Sequence, residues 1–134
     1  MIANSRVIIE KDSKLLLIHR FNNGREYYVI PGGHVEQGES AIEAAKREVK
    51  EETNLEISIT AFLWTLVDNF EEEKVIYVFR AGYVSGELML NGPEKEHQND
   101  NNRFILEWIP FPELNGLNIV PECIRRKISE RYSL

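Results

Sequence analysis

Three short apolar runs in the first thirty residues predict β-strands. They cover residues 7–9, 15–18 and 27–30. A polar stretch at 10–14 and turn-forming residues at 21–25 separate these runs, which is typical of strands joined by tight turns. The third run ends at Pro31-Gly32-Gly33, where a strand cannot continue in regular form.

The next segment, residues 41–53, has the periodicity of a helix. Apolar positions recur at helical spacing at Ile42, Ala45 and Val49, which predicts one apolar stripe facing the core. Ser40 is a suitable N-cap, and Glu43 three residues later completes a capping-box pattern. The capping pattern therefore predicts where the helix starts, and the apolar stripe predicts which face is buried.

The second half of the chain is mostly β-type. Further strands are expected over 55–67, 74–83, 87–90 and 104–109, with a long polar loop over 91–102. A short turn or helix is expected over 110–114 and a C-terminal helix over roughly 119–131. Several strands with two substantial helices predict an α+β fold, with a mixed β-sheet between helices, in one domain spanning 1–134.

Composition narrows the function classes. The 134 residues are 43% hydrophobic and carry a formal net charge of -6, which gives no general electrostatic reason to bind a nucleic-acid polymer. The longest apolar run has four or five residues, far short of the ~18 that span a bilayer. One cysteine, Cys123, excludes an internal disulfide and is expected to be a small buried residue. These features predict a soluble, cytoplasmic protein without a membrane partner.

The helix carries an unusual group of carboxylates in its C-terminal half. Glu48, Glu51 and Glu52 stand at i, i+3 and i+4 and project from one side. Each is unfavourable there by ~0.3–1 kcal/mol, because the helix dipole is already negative at this end. A hard cation such as Mg²⁺ would reverse the sign of that effect. The alternative is a solvated charged face, with Glu43–Arg47 and Arg47–Glu51 as ordinary ion pairs.

The residues before the helix support the first interpretation. The Pro31-Gly32-Gly33 turn permits positive φ and a close approach of backbone to a ligand. An acid in the following loop, Glu39, could pair with Arg47 and hold the loop against the helix. Such a site would suit hydrolysis of a phosphoanhydride, in which metal ions neutralise phosphate charge and a carboxylate activates water.

These residues resemble the Nudix box, G-x5-E-x7-R-E-U-x-E-E-x-G-U, in which U is apolar. The match covers residues 33–55 and agrees at eight of nine specified positions: Gly33, Glu39, Arg47, Glu48, Val49, Glu51, Glu52 and Leu55. Asn54 replaces the glycine expected after the paired glutamates. Asparagine is the next-best residue for a left-handed position after a helix, so the replacement is conservative. The resemblance extends over most of residues 7–114 and implies an α/β/α sandwich.

The resemblance also implies roles for individual residues. The metal ligands, for Mg²⁺ or Mn²⁺, would be Gly32 through its carbonyl, Glu48, Glu51 and Glu52, and a distant loop would add Glu94 or Glu96. Arg47 and Glu39 would orient the site. Either Glu51 or Glu52 could be the base that activates water. His97, beside the loop acids, is expected to be solvated, with a role as a base as the alternative.

Substrate contacts are less specifically indicated. Arg20 and Arg25 are candidates for phosphate contacts, with a surface ion pair as the alternative for Arg20. Phe21, Tyr27 and Tyr28 could form a base-stacking surface, although aromatic residues in strands are often core. Trp64 and Trp108 are expected in the core.

The implied activity is metal-dependent hydrolysis of a nucleoside diphosphate linked to another group. Signals typical of subfamilies acting on ADP-ribose, dinucleoside polyphosphates or NADH are absent, which leaves a small nucleotide such as a (d)NTP as the default substrate. A nucleotide-binding sensor without turnover and a purely structural domain are the alternatives. The sequence does not determine the oligomeric state, and a homodimer is one possibility.

Overall fold

A computed structural model describes residues 1–89 and 102–132 of the chain. Its strands are β1 (Ile2–Lys11), β2 (Lys14–Asn22), β3 (Arg25–Val29), β4 (Gly32–His34), β5 (Glu56–Asp68), β6 (Lys74–Ser85) and β7 (Asn102–Pro110). Helix α1 spans Ala41–Thr53, a 3-10 turn spans Phe111–Glu113, and helix α2 spans Glu122–Arg131. No helix of the described residues has the length and apolar composition needed to cross a membrane.

The strands form one mixed sheet. Its main path runs β3-β2-β1-β6-β5, with β4 paired to β1 and β7 paired to β2. The β1–β6 pair is parallel, and the other pairs are antiparallel. The predicted α+β class with a mixed sheet is confirmed.

Strands β1 and β2 pair over only a short stretch and then separate near the Pro-Gly-Gly turn. The two strands are in register only at Glu10↔Leu15 and Lys11↔Lys14. Beyond this point β1 pairs with β4, whereas β2 pairs with β3 and β7. Because backbone hydrogen bonds no longer join β1 to β2, a cleft lies between them.

Apolar side chains pack on both faces of the sheet. One cluster, which includes Val7, Leu16 and Phe79, packs against Ala45 and Val49 of α1. The other includes Ile8, Leu17, Ile76, Ile124 and Ile128, and the last two belong to α2. Alternation along β1 and β2 therefore supplies both faces of an α/β/α sandwich.

Helix α1 begins and ends as the sequence predicts. The Ser40 hydroxyl accepts from the Glu43 amide at 3.1 Å, and the Glu43 carboxylate accepts from the Ser40 amide at 2.9 Å. Asn54 is left-handed, with φ of 66°. The predicted stripe is wrong at Ile42, which is 44% exposed, because the helix turns Ala44 toward the sheet instead.

Several other predictions need correction. Residues 87–89 of the predicted strand 87–90 are not in a strand, and the Met89 amide donates to the Thr53 carbonyl instead. Helix α2 starts at Glu122, three residues later than predicted, because Ile119 bridges to Tyr28 and Pro121 occupies the N-cap. Trp64, Trp108 and Cys123 are only partly buried at the margins of the core. Most of the predicted loop 91–102, with Glu94, Glu96 and His97, lies outside the described residues.

Candidate active site

The Gly32–Gly33 turn lies directly against the C-terminal half of α1. The Gly32 amide donates to the Glu52 carboxylate at 2.8 Å. Gly32 has φ of 144°, and a Cβ there would lie 2.1 Å from the Ser5 carbonyl oxygen. Only glycine can occupy this position, since both its dihedral angle and its clearance exclude a side chain.

Gly33 makes room for a second carboxylate. A Cβ at Gly33 would lie 2.6 Å from the carboxyl carbon of Glu48. The side chain of Glu48 is 16% exposed and Glu52 is buried, whereas the side chain of Glu51 is 40% exposed. Two of the three predicted carboxylates thus lie against the turn, and Glu51 is the most exposed of the three.

Arg47 connects the helix to the loop that precedes it. Its Nε donates to Glu39 Oε2 at 2.7 Å, and its Nη2 donates to Glu39 Oε1 at 3.0 Å and to the His34 carbonyl at 3.0 Å. Its Nη1 donates to Glu48 at 2.9 Å and lies 3.4 Å from Glu51. The fork geometry of the guanidinium is suited to the bidentate contact with Glu39. The predicted pairing of Glu39 with Arg47 is present.

These contacts shift two pKa values. The hydrogen bond from Arg47 lowers the pKa of Glu39 below its ordinary value. The same hydrogen bond raises the pKa of Arg47, against the opposing effect of its burial. The expected ion pair between Glu43 and Arg47 is not formed, because the Glu43 carboxylate instead accepts a hydrogen bond from the Ser40 amide at the start of the helix.

A second arginine, which sequence reasoning missed, reaches the turn from β1. Arg6 Nη1 donates to the Gly32 carbonyl at 3.0 Å and to the Ile30 carbonyl at 3.3 Å. Burial lowers the pKa of Arg6, and the carboxylates of Glu52 and Glu48 oppose that shift. The available signal was a single arginine immediately before the apolar run of the first strand.

Arg20 enters the same cleft from β2. Its guanidinium carbon lies 4.4 Å from the ring centre of Phe104 and 5.5 Å from that of Tyr27. Its Nε is buried and has no hydrogen-bond partner among the described residues. Arg6, Arg20, Gly32 and Glu52 all line a pocket of about 120 Å³. A cationic pocket with an unsatisfied donor therefore adjoins the paired carboxylates.

The pocket continues into a longer trough. A volume of about 340 Å³ shares Arg6 and Arg20 with the pocket and is also lined by Arg25, Tyr27 and Phe70. A further volume of about 390 Å³ shares Arg25 and Phe70 and reaches Arg126 in the middle of α2. The Tyr27 ring has the guanidinium groups of both Arg20 and Arg25 within 5.5 Å.

Phe21 and Tyr28 lie on the opposite face of β2 and β3. Tyr28 stacks on His19 at 4.0 Å between ring centres, and Phe21 contacts His19 at 4.3 Å. The ring of His19 also bonds to Glu26 and Glu107. Alternation along the strand gives Tyr27, and not its neighbour Tyr28, to the trough. The predicted stacking of a base on Phe21 and Tyr28 stays a prediction. Their contact with His19, on the face of the sheet away from the trough, does not favour it.

The turn offers oxygen donors of the kind that Mg²⁺ and Mn²⁺ prefer. Glu48, Glu52 and the Gly32 carbonyl are hard ligands, and Mg²⁺ usually completes its shell with water and substrate phosphates. Within residues 1–89 and 102–132, no three His, Cys, Asp or Glu side chains form a metal-binding group by themselves. The donor chemistry fits a divalent ion that also uses backbone and substrate oxygens.

Known proteins share this sequence and fold. A family model described as the NUDIX domain matches residues 2–130. An ADP-ribose pyrophosphatase from Methanocaldococcus jannaschii is 42% identical over 124 residues, covering 90% of this chain and 71% of that protein. A putative mutator protein MutT4 from Mycobacterium tuberculosis is 32% identical over 98 residues, and the alignment covers 68% of this chain and 36% of that protein.

Solved structures show the same architecture. A MutT protein from Methanosarcina mazei Go1 superposes with a TM-score of 0.76 at 23% identity, covering 98% of this chain and 92% of that one. A MutT NUDIX hydrolase from Burkholderia pseudomallei has a TM-score of 0.75 at 22% identity, covering 93% and 95%. The family match across the chain, together with the glutamates and glycines held at the turn, establishes that this protein belongs to the Nudix hydrolase family.

Proposed function

We propose that this protein uses Mg²⁺ or Mn²⁺ to hydrolyse a phosphoanhydride bond in a nucleoside diphosphate linked to another group. The observation that carries the proposal is the position of Glu48 and Glu52 against the Gly32–Gly33 turn, next to a pocket lined by two arginines. Anionic metal ligands beside a cationic pocket suit a substrate that is itself a polyanion with bound metal.

Each residue would have a distinct role in this reaction. Glu48, Glu52 and the Gly32 carbonyl would hold the divalent ion, which supplies charge neutralisation and activation of water. Arg47 and Glu39 would keep the loop and the carboxylates in place. Glu51 or Glu52 would accept the proton of the attacking water, and Glu94 or Glu96 would be a further ligand.

The trough would hold the remainder of the substrate. Arg20 presents a buried donor that a phosphate oxygen could satisfy. Tyr27 lines the trough with the guanidinium groups of Arg20 and Arg25 near its ring, but the residue is only 9% exposed, so it would contact a base at its edge and not across its whole face. The extension toward Phe70 and Arg126 provides space beyond a diphosphate.

Two substrate classes deserve the first assays. The 42% identical relative is named an ADP-ribose pyrophosphatase, which favours ADP-ribose. The sequence, which lacks subfamily signals, instead favours a (d)NTP. ADP-ribose would release AMP and ribose 5-phosphate, whereas a (d)NTP would release a nucleoside monophosphate and pyrophosphate, so chromatography of the products distinguishes them.

The metal ligands can be tested by carboxamide substitutions. We expect Glu48→Gln, Glu51→Gln and Glu52→Gln each to reduce kcat by at least ~10²-fold, the lower range for loss of an acid–base group. Glu56→Gln is the matched control, because Glu56 lies just beyond the helix, is exposed and pairs with Lys50. Full activity in both the Glu51 and Glu52 variants would overturn the mechanism.

A nucleotide sensor without turnover is the alternative. Titration calorimetry with ADP-ribose and a (d)NTP, run beside the product assay, separates the two functions. Tight binding without product would support the sensor.

A further inference from the structure

The Gly32 carbonyl already has a cationic partner. Arg6 donates to it at 3.0 Å, while Glu52 accepts from the amide of the same residue at 2.8 Å. Arg6 also donates to the Ile30 carbonyl at 3.3 Å, which fixes the turn on both sides of Pro31. The peptide groups that shape the turn are therefore held by one arginine and one glutamate.

Arg6 also lies close to the charges that a divalent ion would neutralise. The carboxylates of Glu52 and Glu48 both influence the pKa of Arg6, and so does the guanidinium of Arg20. Two carboxylates at one turn repel each other without a cation, and two guanidinium groups in one pocket repel each other without an anion. Arg6 contacts the turn that carries the carboxylates and also lines the pocket that holds the second guanidinium group.

We propose that Arg6 is a positioning residue that competes with a divalent ion for the Gly32 carbonyl and gives that carbonyl up when the ion binds. This inference rests on the proposed function, because that function assigns the Gly32 carbonyl to the ion. Arg6 keeps the turn and Glu52 in position before the ion arrives. After release, its guanidinium remains in the pocket that it shares with Arg20 and Glu52, where a substrate phosphate would be a further partner.

Arg6 and the divalent ion would therefore compete for the Gly32 carbonyl, and this competition predicts the direction in which loss of Arg6 changes the affinity for the ion. Removing the Arg6 guanidinium should make ion binding tighter, since no hydrogen bond to Gly32 must be broken. If Arg6 only stiffened the turn, its removal would leave ion binding unchanged or weaken it.

The test is Mn²⁺ binding to the nucleotide-free protein, with free Mn²⁺ measured by electron paramagnetic resonance. We expect Arg6→Met to bind Mn²⁺ about tenfold more tightly than the natural chain, as loss of one charge-assisted hydrogen bond implies. Arg20→Met is the matched control, because it removes a guanidinium from the same pocket without freeing the Gly32 carbonyl. Its effect should be clearly smaller than that of Arg6→Met.

The outcomes separate the two proposals. If the natural chain binds no Mn²⁺, the proposed function fails. If it binds Mn²⁺ and Arg6→Met binds no more tightly, or if Arg20→Met has the same effect, the role of Arg6 is refuted while the metal site stands.

A second measurement uses the natural chain, in case Arg6→Met does not fold. The side-chain Nε–H signal of Arg6 in a nitrogen–proton correlation spectrum, identified by its loss in Arg6→Lys, should shift and exchange faster with water on addition of Mg²⁺. The signal of Arg126, far along the trough, should not change. An Arg6 signal unaffected by saturating Mg²⁺ would contradict the competition.

Discussion

At the scale of single residues, the two glycines of the turn serve different purposes. Gly32 has no space for a side chain, because the backbone of β1 lies against it. Gly33 has space, but the Glu48 carboxylate occupies it. Backbone cannot move away as a flexible carboxylate can, so the same substitution should have different consequences at the two positions.

Alanine substitutions test this difference. Gly32→Ala should lower the free energy of unfolding by about 3 kcal/mol or more, because it combines overpacking with an unfavourable φ. Gly33→Ala should cost much less stability but displace Glu48 and reduce kcat about tenfold or more. Urea unfolding and steady-state kinetics measure the two effects. Equal stability losses in both variants would contradict the distinction.

At the scale of elements, Arg47 joins α1 to the loop before it. The bidentate contact with Glu39 and the bond to the His34 carbonyl hold the chain that leads from β4 into the helix. The attachment also affects the carboxylates of α1, since Arg47 contacts Glu48, the adjacent residue, and Glu51, on the next turn. Neither Arg47 nor Glu39 needs to contact substrate to affect turnover.

Glu39→Gln tests the positioning role. A neutral amide keeps the shape of the side chain but loses the charge-assisted pair with Arg47, so we expect kcat to fall about tenfold, less than for the metal-ligand variants. Glu36→Gln is the control, because Glu36 lies 3.7 Å from Arg47 with a 68% exposed side chain. A larger loss in Glu36→Gln than in Glu39→Gln would contradict the assignment.

The attachment of α2 depends on a different carboxylate. Glu10 of β1 accepts hydrogen bonds from Tyr132 at 2.7 Å, Arg80 at 2.7 Å and Arg131 at 3.3 Å. Burial raises the pKa of Glu10, but these hydrogen bonds outweigh that effect and the pKa is lowered. The carboxylate therefore stabilises the fold above the pKa of the unfolded chain and ceases to do so as pH falls through its lower folded value.

The prediction for Glu10→Gln follows from that sign. At pH 7 the variant should be less stable by about 1–2 kcal/mol, the range for a charged hydrogen-bond acceptor that is partly solvated. The difference should shrink as the pH is lowered below about 4. Chemical unfolding of both proteins between pH 3 and pH 7 measures it. A difference that grows on acidification would contradict the sign.

At the scale of the whole molecule, a chain with net charge -6 is proposed to bind an anionic substrate. The positive charges are placed locally, because Arg6, Arg20 and Arg25 outnumber the acids Asp68 and Glu71 along one trough, and the carboxylates proposed to bind metal lie at its end. A divalent ion would complete this charge arrangement. The homodimer stays a prediction, which sedimentation equilibrium can test.

Ligand binding should therefore stabilise the whole fold cooperatively. With Mg²⁺ and a non-hydrolysable nucleotide at about 100 times its Kd, the expected gain is about 2.7 kcal/mol, or a rise in Tm of several degrees. Nucleotide with excess chelator should give little of this rise, and the chelator should also abolish turnover. An unchanged Tm shift in chelator would mean that binding does not need the metal.

The sequence by itself determined the features that depend on local spacing. Helix α1, its capping box, the left-handed Asn54 and the pairing of Glu39 with Arg47 all follow from residues close together in the chain. The tertiary structure alone decided which distant residues meet. Arg6 reaches Gly32 because β1 and β2 separate after two paired positions. Tyr27 rather than Tyr28 lines the trough because the pairing of β3 with β2 places Tyr27 beside Arg20. That separation depends on which strands compete for the edges of β1 and β2, and this long-range pairing leaves no periodic signal in the sequence.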